Sequence, residues 1–205
     1  PYTTLFRSVS DNQTEIITSI MALCDIERFD VDLTYGNGEF WKSLPHPLVK
    51  IDIDPQQEDV LRASSTSVPL PDEFVNSVMF DPPFMTYVRA GRDGNGQMVM
   101  ARRFGGYWKY SELVEHYQNT AREAHRLLRK GGIFVVKCQD IVHNHKLHST
   151  HIFMNQWCEG MFRLRDLFVL TAKNRMPISQ QKDTATKIQR HARIHHSYFM
   201  VFEKC

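Results

Sequence analysis

The sequence predicts an α/β fold: a doubly wound, mostly parallel sheet with an antiparallel last strand. Three observations carry this. Short β-branched or aromatic runs alternate with helical segments along the chain. Two of those runs end in a glycine turn, Gly36-Asn37-Gly38, or in an acidic end, Asp52 and Asp54, as open parallel sheets do where they receive ligands. The chain closes on two strand-like runs, Leu164 to Leu170 and Tyr198 to Phe202, a hairpin-like end suited to antiparallel pairing.

Taken in order, Thr14 to Cys24 reads as a helix, because Ile16, Ile17, Ile20, Leu23 and Cys24 fall on one face and Asp11 can cap it. Phe29 to Leu33 is a first strand, stopped by the glycine turn. A helix is expected from near Glu39 until Pro45 and Pro47 end it. Val49 to Ile53 is a second strand, and Asp59 to Ala63 suits one helical turn. Val75 to Phe80 is a strand that runs straight into Asp81-Pro82-Pro83-Phe84. The polar, glycine-rich stretch from Arg89 to Gly106 is too long for an ordinary connection and reads as a functional loop. Ser111 to Arg129 is a helix capped by Ser111, with Leu113, Tyr117, Ala121, Ala124 and Leu128 as its apolar stripe. Gly131-Gly132 is expected to terminate it. Ile133 to Lys137 is a β-branched strand and Ser149 to Gly160 a further helix.

At 205 residues the chain suits one domain, 1–205, with no separate target-recognition domain. Hydrophobic residues at 42% and charged residues at 23% exclude a disordered chain. No apolar run approaches the ~18 residues of a membrane span. No basic-then-apolar leader pattern opens the sequence and no lipidation signal closes it, so no membrane association and a cytoplasmic location are expected. The four cysteines are scattered and contain no CxxC pair, which favours reduced thiols. Net charge is only +2, but it is uneven. Arg89, Arg92, Arg102, Arg103 and Lys109 face one acid, Asp93; Lys173, Arg175, Lys182, Lys187, Arg190 and Arg193 likewise face one, Asp183. Either stretch suits a solvated loop face or a phosphate contact.

Three motifs carry chemistry. Asp32-Leu33-Thr34-Tyr35-Gly36-Asn37-Gly38 lets backbone turn sharply and a ligand approach, although a G-x-G turn alone suits an ordinary connection equally well. Asp52 ends the second strand where a ribose would be bound, with Ile53 following as an apolar wall for an adenine ring. Asp81-Pro82-Pro83-Phe84 is the most specific. Its prolines lock φ, remove two N–H donors and push Asp81 into an extended conformation. A carboxylate, a carbonyl and an aromatic ring are then held in a fixed array, suited to a flat ring that presents an exocyclic amine.

In this order, Asp32, Gly36-x-Gly38, Asp52 and Asp81-Pro82-Pro83-Phe84 resemble the class I, Rossmann-like S-adenosylmethionine-dependent methyltransferases. The D-P-P-F element is similar to the catalytic motif of the amino-methyltransferases that make N6-methyladenine or N4-methylcytosine in DNA. Leu128-Arg129-Lys130-Gly131-Gly132 and the ending His196 to Lys204 resemble further elements of that group. The resemblance implies S-adenosylmethionine as cofactor, no metal, and nucleic acid as partner, with DNA ahead of RNA. It implies that Asp32, Thr34, Gly36 and Gly38 lie along the methionine part of the cofactor and that Asp52 and Ile53 hold its ribose and adenine. Asp81, Pro82, Pro83 and Phe84 would orient the target amine. Arg89, Arg92, Arg102, Arg103, Lys182, Arg190 and Arg193 would meet phosphates, and a base inside a duplex would have to be flipped out.

Two departures stand out. Thr34-Tyr35 occupies the glycine turn where small residues or Pro-Phe are commoner, and Ser64 or Ser65 replaces the acid expected after the third strand. Both keep open an inactive relative that binds cofactor or nucleic acid; an RNA or protein amine is the other alternative. His143, His145, His148 and His151 lie close together, but their spacing fits no zinc ligand set.

Overall fold

A computed structural model of the chain describes residues 5–84, 109–172 and 190–205. Its main sheet has eight strands: β1 (Val9–Ser10), β2 (Val31–Asp32), β3 (Val49–Asp52), β4 (Leu61–Arg62), β5 (Val75–Phe80), β6 (Leu128–Cys138), β9 (Phe162–Thr171) and β10 (His196–Lys204). The remaining two, β7 (Ile141–His143) and β8 (Lys146–His148), form a separate hairpin. The order across the sheet is β1-β9-β10-β6-β5-β2-β3-β4. From β4 to β6 every neighbouring pair is parallel, and β10 runs antiparallel to both β6 and β9. The fold is thus the Rossmann-like sheet with an antiparallel last strand that the sequence predicts. The strand order reverses between β2 and β5, the point at which open α/β sheets take their ligands.

The helices are α1 (Gln13–Leu23), α2 (Tyr110–Leu127) and α3 (Thr150–Cys158). Ile16, Ile17 and Ile20 of α1 pack with Phe29, Trp41 and Phe199 on one side of the sheet. The Leu113, Tyr117, Ala121 and Ala124 stripe of α2 packs with Phe80, Phe134 and Met200 on the other. Strand β5 between them is almost wholly buried, which is why its bounds coincide with the predicted apolar run.

Several local expectations are corrected. Asn12, not Asp11, caps α1, because its Oδ1 accepts from Thr14 N–H at 3.0 Å. The helix after the glycine turn is a single 3-10 turn, Glu39–Trp41, and 59–63 holds strand β4 instead of a helical turn, since Ala63 N–H reaches the Asp52 carbonyl at 3.0 Å. The cap of α2 is Lys109, with Glu112 accepting from its N–H, so Ser111 lies inside the helix. Gly131 and Gly132 do not end α2: it passes directly into β6, and Gly131 (φ +76°) lies within that strand. Gly132 is forced to be glycine by packing, since a Cβ would lie 2.8 Å from the Arg129 carbonyl. Among the described residues no helix is long and apolar enough to cross a membrane. Arg89, Arg92, Arg102, Arg103 and Lys182 lie outside the described residues.

Candidate active site

The site forms where β2, β3, β5 and β6 end side by side. Beyond β2 the chain turns at Leu33-Thr34 yet stays bonded to the strands on both edges: Leu33 N–H donates to Met79 O at 3.0 Å and Tyr35 N–H to Ile51 O at 2.9 Å. This brings the glycine turn against the end of β3. Gly36 N–H then donates to Asp52 Oδ2 at 2.8 Å, and Asp54 N–H to Asp52 Oδ1 at 2.8 Å. The Asp52 carboxylate is held by two backbone donors and remains partly exposed.

Both turn glycines are required by left-handed backbone, φ +59° at Gly36 and +79° at Gly38. They differ in surroundings. A Cβ at Gly38 would lie 2.7 Å from the Tyr35 hydroxyl, whereas one at Gly36 would meet nothing within 4 Å. Gly36 therefore has an open side; Asp52 accepts its N–H, and Ile53, the residue after Asp52, is 73% exposed. A half-exposed acceptor, an apolar side chain and an open backbone turn fit a nucleoside: hydroxyls to Asp52 and a purine face to Ile53.

Asp32, by contrast, is buried and fully engaged. Its Oδ1 accepts from Thr34 N–H at 2.8 Å and its Oδ2 from Trp41 Nε1–H at 2.6 Å. Burial pushes its pKa up to about 7; the Thr34 and Trp41 hydrogen bonds oppose that, and the Asp81 and Asp52 charges add to it. In this geometry Asp32 holds the turn through Thr34 and Trp41. Thr34 faces the other way as well, since its Oγ1 accepts the Asp81 N–H at 2.8 Å. Thr34-Tyr35, the unusual pair in the turn, thus has two uses: Thr34 ties the β2 turn to the D-P-P-F segment, and buried Tyr35 fills the turn and bonds His46 Nδ1 at 2.6 Å.

Asp81, Pro82, Pro83 and Phe84 follow β5 without a break, Pro82 buried and the other three half-buried. Lys137, at the end of β6, was not singled out from sequence. Its ammonium lies 3.2 Å from Asp81 Oδ2 and donates to Gln13 Oε1 of α1 at 2.8 Å. It also faces the rings of Phe40, Phe84 and Phe199 at 5.6, 5.8 and 5.5 Å. Its signal was a cation at the end of an otherwise apolar strand. Burial raises the Asp81 pKa, and the Lys137 charge opposes the rise.

Ser65, which stands where an acid was expected, is buried and turned to α2, bonded to His116 Nε2 at 2.7 Å and Thr120 Oγ1 at 3.1 Å. Ser64 bonds Thr66. Of the clustered histidines, His151 Nδ1 pairs with Asp140 Oδ1 at 2.7 Å, and His143 and His148 flank Tyr110. Arg190 and Arg193 are exposed just before β10.

A family model described as DNA methylase matches residues 75–205, from the first residue of β5 through β10. The chain belongs to the DNA methylase family. Its family and fold are accordingly those of the class I methyltransferases of the D-P-P-F type, whose cofactor is S-adenosylmethionine. No curated protein matches the chain in sequence. Among solved structures, TrmN from Thermus thermophilus is 15% identical with a TM-score of 0.52, over 93% of this chain and 48% of that one. A chain of the complex between the Haloferax volcanii Trm112 methyltransferase activator and a methyltransferase is 15% identical with a TM-score of 0.53, over 91% and 87%. The PH0226 protein from Pyrococcus horikoshii OT3 is 9% identical with a TM-score of 0.51, over 100% and 98%. These likenesses show the fold. The chain spans about half the length of TrmN (48%).

Proposed function

We propose that this chain transfers a methyl group from S-adenosylmethionine to the exocyclic amine of a nucleic-acid base, N6 of adenine in DNA first and N4 of cytosine second. One observation carries the reading: Asp81-Pro82-Pro83-Phe84 stands at the strand-order reversal, next to the Gly36–Asp52 turn. In this reading Asp52 accepts from the ribose hydroxyls, Ile53 covers the adenine, and Gly36 and Gly38 shape the turn along the methionine part. Thr34 contributes its backbone there, and Asp32 supports it from below. Bound S-adenosylmethionine supplies an electrophilic methyl carbon on a sulfonium.

The chain's own residues do the positioning. Asp81 and the Pro82 carbonyl accept the two amine N–H groups, Pro83 keeps the segment stiff, and Phe84 stacks on the base. The amine lone pair is thereby turned out of ring conjugation and toward the methyl. As the N–C bond forms and the S–C bond breaks, the amine carries a positive charge that the Asp81 carboxylate offsets, and its proton then leaves to solvent. Orientation accounts for most of the rate, and no strong base is needed. Arg190 and Arg193 supply phosphate contacts, together with Arg89, Arg92, Arg102, Arg103 and Lys182.

The test is transfer of labelled methyl from S-adenosylmethionine to DNA, RNA and protein side by side, with Asp81→Ala as control. Label on N6-adenine or N4-cytosine of DNA, lost in the variant, is expected. Label confined to RNA or protein would replace the substrate and keep the chemistry. Binding of cofactor with no transfer would instead favour the inactive relative. DNA affinity that falls steeply with salt, and less steeply in the Arg190→Ala/Arg193→Ala variant, is expected for the phosphate contacts.

A further inference from the structure

We propose that Lys137 is a positioning residue for the transfer: its ammonium grips Oδ2 of Asp81 and presses on Phe84, so that Oδ1 and the ring are set for the target amine. The inference rests on the reading of Asp81 as the amine acceptor given above.

Strand register puts the two groups together. Phe80 pairs with Val136 across β5 and β6, so Asp81 and Lys137 are the next residues along two parallel neighbours. The side chains meet at the strand ends, at 3.2 Å, with only 12% of Lys137 and 21% of Asp81 exposed. A lysine whose sole purpose was to end a strand would extend its ammonium into water. Here the ammonium is folded back among three aromatic rings and two oxygens, at a desolvation cost that only pairing offsets.

The contacts are also distributed along the motif. Lys137 reaches Asp81, its first residue, and Phe84, its last, across the two prolines. Gln13 of α1 also accepts from the ammonium, so a helix and a strand hold it together. On the other side of Asp81, Thr34 Oγ1 takes its backbone N–H. Backbone and one carboxylate oxygen are therefore both held. Among the described residues, Oδ1 receives no hydrogen bond. The titratable groups around Asp81 are Lys137 and, on the neighbouring strand, Asp32, on which both Asp81 and Asp52 act. Among the described residues, Lys137 is the one cation paired with Asp81, and its charge opposes the rise that burial imposes on that carboxyl.

The experiment compares wild type with K137M and K137R in two readouts. In methyl transfer, K137M is expected to lower kcat by about 100-fold, the scale of a misplaced reacting group. The acid limb of its pH profile should move to higher pH, and K137R should recover part of both. A uniform loss of kcat with no change in the pH profile and no recovery in K137R would overturn the proposal, as would wild-type kinetics in K137M. The second readout needs no activity: carboxyl-carbon NMR titration of Asp81 in the cofactor-free protein. Its midpoint is expected to rise in K137M and stay near wild type in K137R; an unmoved midpoint in K137M overturns the proposal. If wild type methylates no nucleic acid while the midpoint moves, the substrate reading fails and the Lys137–Asp81 coupling stands. Should K137M not fold, K137Q keeps a donor without the charge and is read in the same way.

Discussion

Asp32 and Asp81 end neighbouring parallel strands, and their surroundings are opposite. Asp32 is buried and satisfied by neutral donors, the Thr34 N–H and the Trp41 indole, in a closed set of short bonds. Asp81 is partly exposed and held on one oxygen by a cation, with Thr34 restraining only its backbone. The difference teaches how the same side chain becomes scaffold in one place and reactive acceptor in the other. Burial behind neutral donors on both oxygens closes the Asp32 carboxyl to a ligand and fixes a turn, whereas Asp52, also held by two backbone donors, stays partly exposed. A single ion pair restrains the carboxylate while leaving an oxygen for a ligand.

The sharpest way to break this comparison is to delete each acid. Asp81→Ala should cost methyl transfer about 10³-fold, the scale of losing a preorganised electrostatic contact, while its melting temperature stays within a few degrees of wild type. Normal transfer in that variant would remove Asp81 from the site. Asp32→Ala should behave in reverse. It leaves the Trp41 Nε1–H and Thr34 N–H unpaired in the interior and should cost about 3 kcal/mol in urea denaturation. A variant of wild-type stability with lost activity would show that Asp32 is no scaffold.

Acidity sharpens the contrast further. The folded chain keeps a proton on Asp32 up to about pH 7, whereas a carboxylate of ordinary value, 3.8, releases it much earlier on unfolding. The stabilisation from this group is therefore complete below pH 3.8 and lost as pH rises through about 7. Denaturation series across that window should show stability falling by a few kcal/mol, and the fall should flatten in Asp32→Asn. An identical slope in both proteins would assign the effect to other groups.

A smaller effect is expected at Asp52. Removing its carboxylate takes an acceptor from the Gly36 and Asp54 N–H groups, and in the proposed role also from the ribose. Asp52→Ala should weaken S-adenosylmethionine binding about tenfold by calorimetry, roughly one charged hydrogen bond. Unchanged binding would move the cofactor elsewhere.

Much of the fold was legible because its signals are local. Strand β5 is an unbroken apolar run stopped by prolines, and its bounds, Val75–Phe80, follow from those residues alone. The α1 and α2 stripes show in helical spacing, and the antiparallel ending shows in two long runs at the end of the chain. The passage of α2 into β6 was misread because Lys130-Gly131-Gly132 looks like a helix stop; the positive φ of Gly131 belongs to a bend within the strand. The β7–β8 hairpin was missed because its turn, Asn144-His145, reaches positive φ without glycine.

What the sequence by itself determined is the class of fold, the D-P-P-F segment with its stiff backbone, and the acidic end of β3. These depend on side-chain period, proline geometry and neighbouring residues. Only the tertiary structure decided which acid is spent on scaffolding and which is left to work. Trp41 reaches Asp32 over nine positions, Thr34 reaches Asp81 over 47, and Lys137 reaches it over 56. Those partners meet because β2, β5 and β6 lie side by side with their ends aligned. Strand order and register arise from packing the whole sheet against helices on both faces, and no local stretch of chain encodes them.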